Sequence, residues 1–180
     1  MHKTEQVVAQ TKKWITDVVI GCNFCPFASR EVKRNSVNYI VEESNDIATC
    51  LHTFIRECVR LDDDAATETS FIIYPNAFKK FEDYLDLVTL AETLLERQNY
   101  EGIYQVASFH PQYSFQDVAP DDAANYTNRS IYPMLHILRE ESIEAALDHY
   151  ADPEAIPARN IQFAREKGAA YMKMLRDACL

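Results

Sequence analysis

The sequence predicts an α/β fold. The expected form is one domain over residues 1–180, with a small, mainly parallel sheet of about three strands from βαβ units. Helices flank the sheet, and a C-terminal helical segment follows it. Three observations carry this expectation. The chain has 180 residues, within the roughly 100–200 that a single domain takes. Its hydrophobic content of 47% and charged content of 26% are those of a chain that folds around a core. Short β-branched and aromatic runs alternate with longer stretches of helical apolar spacing, the pattern of strands joined by crossover helices.

In chain order, Thr4 to Ile20 sets Val7, Val8, Trp14, Ile15, Val18 and Val19 on one helical face, and Gly21 is a suitable stop. Cys22-Asn23-Phe24-Cys25-Pro26-Phe27 follows as a loop. Val37 to Glu42 reads as a strand. Ser44 or Asn45 would cap the next helix, in which Ile47, Leu51, Phe54, Ile55 and Cys58 repeat at helical spacing. Phe71 to Tyr74 is a short apolar strand stopped by Pro75, Phe78 to Gln98 is helical, and Ile103 to Phe109 is the third strand. From Pro111 to about Arg129 no period is sustained. Helices resume over Ser130 to Glu140 and Ser142 to Tyr150, and a last one has Pro157 in its first turn and runs to about Ala178.

Charge excludes some partners. With 18 Lys and Arg against 28 Asp and Glu, the net charge is -10, so the chain would repel nucleic acid and anionic membrane surfaces. The 3 Gly are too few for a Gly-rich phosphate loop. No run approaches the ~18 apolar residues of a membrane span, and no apolar signal-peptide core follows the polar start. A cytoplasmic chain is expected, with its 5 Cys as reduced thiols rather than a disulfide framework.

The chemistry-bearing residues gather in three places. His110 follows a strand and precedes Pro111, and open α/β sheets bind ligands outside the carboxyl ends of their strands. On the helix expected over 132–140, Tyr132, His136, Arg139 and Glu140 share one face at offsets of three and four. The long polar segment ends in Asn125-Tyr126-Thr127-Asn128-Arg129-Ser130, amides, hydroxyls and a guanidinium that would suit a small anion. Arg159 and Asn160 open the final helix and would extend that anion site. Cys25 is a candidate nucleophile if His110 or His136 serves as its base. The Cys22-x-x-Cys25 string follows a helix rather than a strand, which is the wrong context for a thioredoxin-like redox pair.

Val19-Ile20-Gly21, Cys25-Pro26-Phe27-Ala28, Ala107-Ser108-Phe109-His110-Pro111 with Tyr113 and Phe115, Asn125, and Thr127-Asn128-Arg129-Ser130 form a specific set of motifs. Tyr132-Pro133, Leu135-His136, Leu138-Arg139-Glu140, Ile156-Pro157 and Arg159-Asn160-Ile161 complete it. Together they resemble domain-of-unknown-function family 1415, a family of uncharacterised bacterial proteins, over nearly the whole chain. The resemblance implies a bacterial source and no particular activity. In the family pattern Cys25 belongs to a motif, whereas the position of Cys22 is usually apolar. Where the pattern has Pro after the Arg-Ser pair, this chain has Ile131.

The leading expectation is an enzyme acting on a small anionic metabolite. Arg129, Arg139 and Arg159 would hold the anion, with Asn125, Thr127, Asn128, Ser130 and Asn160 orienting it. His110 or His136 would move protons, Glu140 would fix a histidine's tautomer, and Cys25 would serve as an optional nucleophile. One alternative is a divalent metal, zinc or iron, on His110, His136 and Glu140, with Cys25 or an aspartate of the polar loop. The other is a non-catalytic binding or assembly module.

Overall fold

The computed structural model describes residues 3–180. Helix α1 (Lys3–Trp14) runs directly into a π-helical segment, Ile15–Ile20. The Gly21 N–H closes that segment on the Thr16 carbonyl at 3.0 Å, five residues back. A Cβ at Gly21 would lie 2.2 Å from the Asp17 carbonyl oxygen, so the wider turn ends where only glycine fits. After α2 (Ala28–Arg34) come β1 (Val37–Val41), α3 (Ile47–Asp63), β2 (Thr69–Ile73), α4 (Phe81–Arg97) and β3 (Tyr104–Phe109). The cap of α3 is Asp46, whose carboxylate accepts from the Thr49 N–H at 2.9 Å, rather than Ser44 or Asn45.

The chain then departs from the sequence expectation. Residues 134–139 form a fourth strand, β4 (Met134–Arg139), not a helix. The strand order is β1-β2-β4-β3, with β1 and β2 parallel and β4 antiparallel to both of its neighbours. The sheet therefore has four strands and is mostly antiparallel, against the expected three mainly parallel ones. The reason lies in burial. Helices cover both faces of β4, so Met134, Leu135 and Ile137 are all fully buried and no apolar-polar alternation marks the strand. The helical spacing of Ile131, Leu135 and Leu138 is a coincidence of that double burial.

The two crossovers place α3 and α4 on one face. There Phe54, Leu61, Tyr84 and Leu87 pack against Ile72, Leu135 and Ile137. The other face is covered from the chain's ends: Val7, Trp14 and Val18 join Ala164 of α6 (Ala155–Lys167) and Met172 of α7 (Ala169–Asp177) over Phe71, Ile73 and Met134. The expected single last helix is broken at Gly168, whose φ of 84° is left-handed. Helix α5 (Glu140–Leu147) follows β4 without a loop. Among the described residues, no helix is long and apolar enough to cross a membrane.

Candidate functional site

On the face covered from the chain's ends, the helices do not close over the whole sheet. They leave a cavity of about 690 Å³ at the amino ends of β1 and β2 and along the length of β3, whereas the sequence expectation places a site outside the carboxyl ends of the strands. Its walls are largely apolar: Trp14, Ile15 and Val19 from the π-helical side, Phe27 and Val32, Phe71, Phe109 and Leu138 from the sheet, and Ile143 from α5. Volume and lining are those of small-molecule sites. The π-helical segment contributes because its wider turn re-aims side chains, a feature frequent at functional sites.

His136 lines the cavity from β4, and the lining also includes the ionisable side chains of Arg30, Glu31, Arg34, Glu68, Arg139 and His149. The His136 ring stacks on Phe71 with centroids 3.8 Å apart, and its Nε2 lies 2.6 Å from Thr69 Oγ1. Thr69 Oγ1 also lies 2.5 Å from the Ile137 carbonyl oxygen. Two oxygens that close need a proton between them, so the single hydroxyl proton goes to the carbonyl. The threonine oxygen then accepts, and Nε2 carries the hydrogen. Among the described residues, His136 Nδ1 is left with its lone pair and no hydrogen-bond partner. The side chain is half-buried, open to the cavity and enclosed by protein elsewhere. Burial penalises the imidazolium and pushes its pKa down to about 3. His136 is therefore a neutral hydrogen-bond acceptor at pH 7.

Cys25 lines the same cavity, half-buried, in the loop after the π-helical segment. Helix α6 fixes that loop. Arg159 donates to the Asn23 carbonyl at 2.8 Å and to the Tyr150 hydroxyl at 2.7 Å, and Asn160 Nδ2 donates to the Phe24 carbonyl at 2.7 Å. The two residues expected to extend an anion site instead hold the backbone next to Cys25. Cys22 is half-buried against the core, and burial raises its pKa.

Of the remaining residues singled out by sequence, Arg139 also lines this cavity and the others lie elsewhere. His110 is fully buried between Phe81 and Tyr84, on the α4 side of the sheet. Its Nδ1 accepts from the Gln112 N–H at 2.9 Å, so Nε2–H donates to the Phe78 carbonyl at 2.8 Å. That bond braces Phe78, a non-glycine residue at a left-handed φ of 53°. His110 and His136 thus pack on opposite faces, and among the described residues the histidines that line the cavity with Cys25 are His136 and His149, the latter just after α5. Among the described residues, no three of His, Cys, Asp and Glu are grouped so as to hold a metal; His110, His136 and Glu140 do not converge. Glu140 begins α5, with its N–H on the Ile103 carbonyl at 3.0 Å. The shared helical face of Tyr132, His136, Arg139 and Glu140 does not exist, because 134–139 is a strand.

The polar loop is wired to itself. Asn125 is fully buried, accepts from the Phe115 N–H and donates to the Ala119 carbonyl, both at 2.9 Å. Thr127 donates to the Ala124 carbonyl at 2.9 Å, Asn128 to the Ser108 carbonyl at 3.2 Å, and Ser130 to the Tyr132 carbonyl at 2.5 Å. Arg129 donates to the Tyr113 and Pro120 carbonyls at 2.9 and 2.7 Å and lies over the Tyr126 ring. Arg139 gathers the Leu61, Asp64 and Thr67 carbonyls beyond the end of α3. All three expected anion-binding guanidinia are engaged by backbone carbonyls.

Sequence reasoning missed Thr69, Phe71, Ala107 and Trp14 as site residues. Thr69 and Phe71 read as ordinary strand residues, and Trp14 as ordinary helix core. Only the register of β4, which brings His136 opposite both Phe71 and Ala107, gathers them.

Compared with known proteins, the chain matches the family model described as a protein of unknown function, DUF1415, over residues 6–174. No curated protein and no solved structure gives a significant match.

Proposed function

Because the chain belongs to the DUF1415 family, whose description carries no activity, we propose its function from its own geometry: the cavity over His136 is a small-molecule site. The observation that carries this is His136, which lines a largely apolar cavity with its Nδ1 lacking a hydrogen-bond partner among the described residues while Thr69 holds the ring in one tautomer. A neutral acceptor in apolar surroundings selects a ligand that donates a hydrogen bond. A carboxylate placed at Nδ1 would gain no hydrogen bond from it, since both groups only accept. Of the three guanidinia expected to hold an anion, Arg139 is the one that lines this cavity, and it is engaged by backbone carbonyls.

The catalytic form of this reading uses Cys25, the cysteine on the cavity wall. Its sulfur adds to an electrophilic carbon of the bound molecule, and its proton passes through His136 Nδ1 to the departing group. Burial keeps the imidazolium short-lived, so His136 relays a proton rather than storing one.

The chain has a single tryptophan, and it lines the cavity. Trp14 emission therefore reports occupancy. Titration with benzyl alcohol is expected to change it saturably and to slow N-ethylmaleimide labelling of Cys25, followed by peptide mass spectrometry. An Ala146→Phe variant, which fills the cavity, is expected to lose both effects. A non-saturable change that is the same in both proteins would refute the site, and undiminished labelling would remove Cys25 from it.

A further inference from the structure

Four residues in register cross the sheet on the cavity face: Tyr39 opposite Phe71, Phe71 opposite His136, and His136 opposite Ala107. The first three carry rings, and the rings are nearly parallel. Tyr39 and Phe71 stack at 5.9 Å with 8° between their planes, and Phe71 and His136 at 3.8 Å with 11°. The fourth place carries only a methyl group. Ala107 and His136 both line the cavity, so the row of rings stops where open space begins.

Neighbouring strands lie about 4.8 Å apart. A ring standing over Ala107 would thus meet His136 at the separation offset aromatic pairs adopt. Phe109, two residues further along β3, bounds this place on the same face and is tilted 39° to His136 at 6.3 Å. A saturated ring of equal size would fill the volume but could not continue the stack. Resting on the reading of the cavity as a small-molecule site, we infer that its ligand is a small aromatic molecule whose ring lies over Ala107 and completes the row Tyr39, Phe71, His136.

Phenol and cyclohexanol carry the same hydroxyl on rings of similar size, so comparing them isolates the stack. With Trp14 emission as readout, phenol is expected to bind roughly 2- to 10-fold more tightly than cyclohexanol, the ratio a single aromatic contact supports. Ala107→Phe supplies the missing ring from the protein and is expected to abolish phenol binding. His136→Leu removes the stacking face and is expected to bring the two ligands level; thermal melts confirm that each variant is folded. Equal affinities in the wild type, or phenol binding undiminished in Ala107→Phe, would overturn the aromatic assignment while leaving the cavity a small-molecule site. Failure of both ligands to bind would overturn both.

Discussion

Thr69 accepts from His136 Nε2 at 2.6 Å and donates to the Ile137 carbonyl at 2.5 Å, and this pair of bonds decides which histidine nitrogen carries the hydrogen. The threonine hydroxyl, the ring and the carbonyl all belong to adjacent strands, so the tautomer is a consequence of the register between β2 and β4. A slip of one residue would send His136 to the opposite face.

Thr69→Val keeps the shape and removes the acceptor. The buried Nε2–H then lacks a partner, which costs about 1–3 kcal/mol and lowers the melting temperature by several degrees. Long-range ¹⁵N NMR is expected to show His136 as the Nε2–H form in the wild type and as a mixture of tautomers in the variant. A mixture already present in the wild type would refute the assignment.

The depressed pKa of His136 makes stability depend on pH in a definite direction. Above the ordinary histidine value of 6.5, both folded and unfolded chains hold the ring neutral, and this residue adds no pH dependence. Below it the unfolded chain takes the proton and the folded one resists until about pH 3. Stability is therefore lost as pH falls through that window, by at most about 1.4 kcal/mol per unit from one proton. His110, also depressed by burial, contributes in the same sense. Denaturant melts between about pH 6.5 and 4.5, before most carboxylates titrate, are expected to show a shallower slope in His136→Phe than in the wild type. Identical slopes would mean that His136 titrates normally.

Arg129→Ala tests whether the polar loop is a brace or a binding surface. The guanidinium satisfies the Tyr113 and Pro120 carbonyls and covers the Tyr126 ring. Its loss is expected to cost about 1–3 kcal/mol, as charged hydrogen bonds usually do, and to expose residues 111–122 to limited proteolysis. An unchanged melting temperature with an unchanged cleavage pattern would return Arg129 to the list of ligand-binding candidates.

What the sequence made legible followed from one-sided burial. The helices at 47–63 and 81–97 show their apolar stripes because solvent covers their other faces. β4 hid its period because both faces are covered, and the switch from α1 to the π-helical segment left no signature in residue type. The sequence marks Asn125, Asn128, Arg129, Arg159 and Asn160 as residues that would hold a ligand, and in the fold each makes hydrogen bonds within the chain. Nothing in a donor's identity says whether its acceptor is a ligand or a carbonyl of its own chain. Cys25 and His136 came together only through the packing of the N-terminal segment on the sheet, and no local pattern records that packing.

The hold of α6 on the Cys25 loop gives the last prediction. Asn160 Nδ2 reaches the Phe24 carbonyl at 2.7 Å, and the Asn160 Oδ1 in turn accepts from Arg159 at 3.3 Å. One side chain thus ties the backbone immediately before Cys25 and steadies the guanidinium that ties Asn23. Asn160→Ala releases the Phe24 carbonyl, at about 1 kcal/mol for one such bond. Local opening of the loop becomes more populated by roughly fivefold. N-ethylmaleimide labelling of Cys25 is expected to accelerate by that factor, while labelling of Cys58, fully buried on the inner face of α3, keeps its wild-type rate. If both thiols accelerate together, the variant has lost global stability instead. If neither does, Asn160 does not restrain the loop, and its amide is available to a ligand after all.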